Sequence, residues 1–111
     1  MKDFEFNDYE RDTLRRYAGR DTDVIVPDCF RKIGNYAFRD NSCVETIVLY
    51  EGIREVGENA FCGCRSLKEI CLSFSILHIG SSAFENCRNL RGIILPPELT
   101  AISNSTYTQP R

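Results

Sequence analysis

Residues 79–96 read Ile79-Gly80-Ser81-Ser82-Ala83-Phe84-Glu85-Asn86-Cys87-Arg88-Asn89-Leu90-Arg91-Gly92-Ile93-Ile94-Leu95-Pro96. The same pattern stands 23 residues earlier, as Val56-Gly57 … Ala60-Phe61 … Cys64 … Leu67 … Ile70-Cys71-Leu72. It stands 23 residues earlier again, as Ile33-Gly34 … Ala37-Phe38 … Asn41 … Val44 … Ile47-Val48-Leu49. A partial copy begins at Ile102-Ser103 and reaches Thr106-Tyr107. A fixed period of this length marks a stack of repeats, in which no single unit buries its own apolar residues.

The repeat predicts a solenoid. Apolar residues two apart (Val24 and Val26, Ile47 and Leu49, Ile70 and Leu72, Ile93 and Leu95) point to one face of an extended segment. Like stacks on like, so these strands pair in parallel, and Phe38, Phe61 and Phe84 form a column in the core with Cys64 and Cys87 beside it. Gly34, Gly57 and Gly80 are read as a bend that a Cβ would hinder. The segment from Gly34 to Asn41, with its equivalents, is expected to be a short helical turn. Asn41, at the cysteine position, is expected to hydrogen-bond loop backbone of the next turn.

Residues 1–22 lie outside the period and form an N-terminal cap; residues 23–111 are the array, about 3.5 repeats. Phe4 and Phe6 alternate with polar residues, which favours a hairpin returning over Leu14 to Tyr17. A helix from Asn7 to Tyr17 is the competing reading. Phe4, Phe6, Leu14 and Tyr17 are the residues expected to cover the first coil. The far end has no evident cover. Ile93, Leu95, Leu99 and Ile102 therefore either meet those of a second copy in a homodimer or continue into further repeats.

The 111 residues carry a net charge of −2, which gives no bulk attraction to nucleic acid or an anionic membrane. No apolar run is long enough to span a bilayer. The N-terminus has no apolar signal-peptide core, so a chain starting naturally at Met1 is expected in the cytoplasm, and one trimmed there on the cell surface or secreted. Six cysteines in a chain with a core pattern favour free thiols over a disulfide framework.

The pattern Val56-Gly57-x-x-Ala60-Phe61-x-x-Cys64-x-x-Leu67-x-x-Ile70-x-Leu72 resembles the leucine-rich repeat of the BspA type, also called the Treponema pallidum type. The resemblance covers about residues 14–107. Asn41 departs from it in place of cysteine, Tyr50 and Ser73 in place of proline, and Ser103, Thr106 and Tyr107 in the last copy. It implies a curved, right-handed solenoid with a parallel sheet and a binding role, and it implies no reaction.

Candidate chemistry is sparse. Cys62-Gly63-Cys64 invites zinc, but the repeat turns Cys64 inward and Cys62 outward, so their thiols diverge. His78, the sole histidine, stands where Lys32, Glu55 and Ala101 stand in other copies, an exposed position without a nucleophile. No catalytic residue, metal site or cofactor is expected. Arg65, Lys68, Arg88 and Arg91 make a small basic patch that Glu58, Glu69 and Glu85 partly offset. Asn104-Ser105-Thr106 fits a glycosylation sequon, of consequence only in a secretory pathway.

One feature stands out. Between the inward strand positions lies an outward one, occupied by Ile25, Val48, Cys71 and Ile94, with Thr46, Glu69, Tyr50 and Ser73 flanking it. Outward positions of an exposed sheet are usually polar. Four apolar residues in a row, about 15 Å at the strand spacing, suggest a contact surface; the β-propensity of Ile and Val is the other account. The expected function is non-catalytic protein binding through the repeat surface, involving Ile25, Val48, Tyr50, Cys71 and Ile94. The alternative is a cell-surface adhesin, or a fragment of one, that binds host protein or glycan.

Overall fold

The computed structural model describes residues 3–73, 75–94 and 101–102. The described residues form ten short strands: β1 (Phe4–Phe6), β2 (Thr13–Tyr17), β3 (Asp23–Val26), β4 (Lys32–Ile33), β5 (Thr46–Leu49), β6 (Glu55–Val56), β7 (Glu69–Cys71), β8 (His78–Ile79), β9 (Gly92–Ile94) and β10 (Ala101–Ile102). They build two sheets, ordered β1-β2-β4-β6-β8-β10 and β3-β5-β7-β9. From β3 onward every coil gives one strand to each sheet.

The register follows the period. Val24, Ile47, Ile70 and Ile93 are successive partners in the second sheet, and Ile33, Val56, Ile79 and Ile102 in the first. Inward side chains from both sheets meet in one core. Val24, Val26, Ile47, Leu49, Ile70 and Leu72 are buried there, as are Ile33, Val56 and Ile79. Loops between strands are bonded across coils too: the Gly57 N–H donates to the Ile33 carbonyl and the Gly80 N–H to the Val56 carbonyl, both at 2.8 Å.

The segment after each glycine is not a helical turn. It is a run of overlapping β-turns. In the first copy the amides of Ala37, Arg39 and Asn41 close turns on the carbonyls of Gly34, Tyr36 and Phe38. The alternate amides, of Tyr36, Phe38 and Asp40, donate instead to Glu58, Ala60 and Cys62 of the next coil. A helix would direct all these N–H groups along its own axis. Here half of them hold neighbouring coils together, which a stack rewards and a helix cannot supply. The alternation requires a left-handed residue at two places in each copy: Tyr36, Asn59 and Ser82 at the first, and Asp40, Gly63 and Asn86 at the second.

The repeat glycines serve close approach rather than a bend, because none of the three has a positive φ. A Cβ on Gly57 would lie 2.7 Å from the Asn35 nitrogen and 2.8 Å from the Gly34 carbonyl carbon, and one on Gly80 would lie 2.7 Å from the Glu58 nitrogen. Contacts that short are repulsive, so any side chain there would push the coils apart.

Phe38, Phe61 and Phe84 stack with centroids 5.1 and 5.4 Å apart. Tyr17 extends this column, 5.0 Å from Phe38. Its N–H donates to the Ala37 carbonyl, as Phe38 donates to Ala60 and Phe61 to Ala83. Tyr17 therefore fills the phenylalanine place of a truncated coil, although it lies outside the 23-residue register. Cys64 and Cys87 donate their Sγ–H to the carbonyls of Phe38 and Phe61, at 3.1 and 3.0 Å, in the coil before. Asn41 does the same with Nδ2, to the Gly19 carbonyl at 3.1 Å, while its Oδ1 accepts from Cys43 and Val44 of its own loop. Its partner is thus the preceding coil, not the following one.

At the N-terminal end β1 pairs antiparallel with β2, and β2 in turn pairs parallel with β4. The hairpin, not a helix from Asn7, occupies this segment, because Asn7 Oδ1 accepts from the amides of Tyr9 and Glu10 and closes a turn. Phe4 packs on Tyr17 and Phe6 on Phe30, at 4.9 and 4.8 Å, so rings cover the first coil. Leu95, Leu99 and Tyr107, on which the reading of an uncovered far end depends, lie outside the described residues, as does the sequon at Asn104.

Candidate functional site

The outward row of the second sheet is in strict register: Ile25 beside Val48, Val48 beside Cys71, Cys71 beside Ile94. Each strand alternates, so Val24, Val26, Ile47 and Ile70 turn inward while this row turns out. Ile25 is 53% exposed, Cys71 is exposed and Val48 is half-buried between two flanking strands. The side chain of Ile94 lies outside the described residues. Tyr50, just beyond β5 and two residues from Val48, is exposed and flanks the row.

The flanks differ from the expectation at one place. Thr46 and Glu69 line the row, and Thr46 Oγ1 donates to Asp23 Oδ1 at 2.6 Å. Ser73 is buried instead, and its hydroxyl donates to the Ile53 carbonyl at 2.8 Å. A proline at that place would have no such hydroxyl.

A groove of about 180 Å³ opens between β5, β7 and β9, lined by Thr46, Ile47, Val48, Glu69, Ile70, Cys71 and Gly92. Its cause is local. Gly92 continues the column of Asp23, Thr46 and Glu69 without a side chain, and a Cβ there would meet nothing nearer than Glu69 Cγ at 3.6 Å. Sequence reasoning passed over Gly92; its signal was a glycine in a column of larger residues. The groove is smaller than the roughly 300–1,000 Å³ of small-molecule sites and suits one protruding side chain.

The outward row of the first sheet is of another kind. Lys32, Glu55 and His78 are neighbours across strands. Lys32 Nζ lies 3.4 Å from Glu10 and 3.6 Å from Glu55, and the Glu10 carboxylate holds the lysine above its usual pKa. This face is charged and largely self-neutralised.

The remaining candidates are dispersed. Cys64 is buried and bonded to Phe38, while the Cys62 thiol lies 4.0 Å from Glu85 Oε1. Burial raises the Cys64 thiol pKa strongly and that of Cys87 to about 12, so neither is a thiolate at neutral pH. Among the described residues no cluster of three possible metal ligands forms, and no helix is long and apolar enough to cross a membrane. Of the basic patch, Lys68 pairs with Glu45 at 3.4 Å; Arg65, Arg88 and Arg91 are exposed.

Comparison with known proteins gives a consistent result. A profile of the BspA type leucine rich repeat region matches residues 17–110, in six copies. A leucine-rich repeat protein of T. pallidum superposes with a TM-score of 0.84 at 28% identity, over 91% of this chain and 51% of the other. The pneumococcal vaccine antigen PcpA superposes with a TM-score of 0.79 at 28% identity, over 82% of this chain and 23% of the other. A leucine rich cell surface protein from Faecalibacterium prausnitzii does so at 0.71 and 26% identity, over 89% and 29%. The chain thus spans about half the length of the T. pallidum protein and less of the other two. A search of the curated proteins gave no match.

Proposed function

The chain belongs to the BspA-type leucine-rich repeat family, and on that premise we propose that it is a non-catalytic module that binds another protein through the outward face of its second sheet. Leucine-rich repeat folds serve as protein-interaction modules and are typically not enzymes. The observation that carries the reading is the in-register apolar row of Ile25, Val48 and Cys71, with Tyr50 beside it and the side-chain-sized groove next to Gly92. Ile94 completes the row by register. A protein partner supplies what this surface lacks: apolar side chains to cover the row and one to enter the groove.

Affinity capture from the native lysate tests it, run with the natural protein and with Ile25→Lys combined with Val48→Lys. A partner held by the natural protein, lost by the double variant and retained by a first-sheet variant such as His78→Ser, is the expected outcome. Retention by all three would reject the face.

A second reading places the protein on a cell surface as an adhesin. It is favoured by two neighbours whose descriptions are a vaccine antigen and a cell surface protein. Thiol titration of native, unreduced protein separates the two locations. Six free thiols support an intracellular home, and paired cysteines support export.

A further inference from the structure

A cleft of about 850 Å³ is not on either sheet face. It lies on the turn side at the N-terminal end of the stack, between residues 15–20 and residues 35–43. Four arginines line it, Arg15, Arg16, Arg20 and Arg39, with Asp40 among them and the carboxylates of Asp3 and Asp21 beside its Tyr17–Gly19 wall. Two of the four are engaged: Arg15 pairs with Glu5, and Arg39 Nε lies 3.4 Å from Asp40. Arg16 and Arg20 are exposed and have no ion pair among the described residues.

Tyr36 stands at the same cleft and gives an independent sign. Its φ is 62°, in the left-handed region that bulky side chains avoid. The equivalent residues are Asn59 and Ser82, small and polar, so the fold does not call for an aromatic there. Nor does packing, because Tyr36 is 49% exposed. Strained, exposed residues of this kind cluster where ligands bind. The Arg39 guanidinium lies 5.3 Å from the Tyr36 ring centroid, so ring and cation present one combined surface to the cleft.

We propose that this cleft binds an acidic segment of a protein, with Arg16 and Arg20 taking its carboxylates and Tyr36 with Arg39 forming the platform it lies on. The guanidinium fork matches a carboxylate in two-point fashion, and the guanidiniums of Arg16 and Arg20 have no ion pair among the described residues to give up for it. A short peptide meets only the cleft, whereas a long polyanion would also meet the rest of a surface whose net charge is −2. The site goes beyond the sheet-face reading and stands without it, because the two share no residue.

The test is fluorescence anisotropy of a labelled oligoglutamate peptide, with the natural protein and three variants. Arg16→Ser with Arg20→Ser should weaken binding by about tenfold or more, the effect of losing two exposed charge contacts. Arg88→Ser with Arg91→Ser makes the same change in net charge elsewhere and should leave binding nearly unchanged. Tyr36→Asn should weaken binding about threefold while the urea midpoint holds or rises, since asparagine suits the backbone angle better. Absence of binding to the natural protein overturns the proposal. So does an equal loss in the two arginine pairs, which would mean general attraction only. Tighter binding of polyphosphate or a sulfated oligosaccharide than of oligoglutamate, lost in the Arg16/Arg20 variant, overturns the peptide assignment. Unchanged affinity in Tyr36→Asn overturns the platform.

Discussion

Phe61 is fully buried with a ring on each side, and Tyr17 gives Phe38 the same situation. Phe61→Ala and Phe38→Ala should each destabilise by roughly 3–5 kcal/mol, by the usual penalty of emptying a buried phenyl site. Urea melts that show a loss under about 1 kcal/mol for either would contradict a continuous column. Tyr17 brings one liability to that column: its hydroxyl is buried with the Asp21 backbone near it but in no well-formed hydrogen bond, and burial raises its pKa. Tyr17→Phe removes the stranded group and keeps the ring, so it should stabilise by about 1 kcal/mol. The buried thiols make a pH prediction. Cys87 is raised by burial from 9.0 to about 12, so between those values the folded chain holds a proton that the unfolded chain has released. Stability from this thiol is therefore complete below pH 9.0 and lost as pH rises toward 12, at about 1 kcal/mol per unit. Cys64 and Tyr17 shift in the same direction and add to the slope. Urea midpoints that stay level across that range would contradict the burial of these groups.

At the scale of the element, the run of β-turns is what makes each coil stackable. Its alternate amides bond forward to the next coil, and the repeat glycine lets the backbones come close enough for that. Gly57→Ala and Gly92→Ala should then behave differently, though both change one glycine by one methyl. At Gly57 the new Cβ would lie within 2.8 Å of the Gly34–Asn35 peptide unit, which the stack holds in place. At Gly92 its nearest neighbour is the flexible Glu69 side chain at 3.6 Å. Gly57→Ala should lose several kcal/mol, of the order of overpacking a rigid site, whereas Gly92→Ala should change stability by less than about 0.5 kcal/mol. Thermal melts of the pair check this. The same Gly92→Ala narrows the groove beside Cys71, so it also probes partner binding without disturbing the fold.

At the scale of the whole molecule the two sheets back onto one core and present unlike faces. The first sheet shows the paired charges of Lys32 and Glu55, the second the row of Ile25, Val48 and Cys71. Because the row turns outward, Ile25→Lys with Val48→Lys should keep the fold, with a loss within about 1 kcal/mol. Unfolding of the double variant in buffer, or a loss of several kcal/mol in urea melts, would mean that the row is buried. Capture experiments on that variant are interpretable only if it passes this test.

The 23-residue period by itself determined the solenoid, the parallel register and the inward residues. Stacking forces equivalent positions into contact, so a linear repeat is already a statement about pairs such as Val24 with Ile47 and Phe38 with Phe61. It also placed the outward row, since alternation along a strand follows from the pleat. What the period could not contain was decided by the tertiary structure. Tyr17 joins the phenyl column from outside the register, because a hydrogen bond to Ala37, not a spacing, aligns it. The turn segment is not helical, because its amides have acceptors in the neighbouring coil that no local sequence signal announces. Ser73 is buried for the same kind of reason, its hydroxyl bonded to Ile53 of the preceding coil. Each depends on what the adjacent coil places against it, and that is a distance in space rather than along the chain.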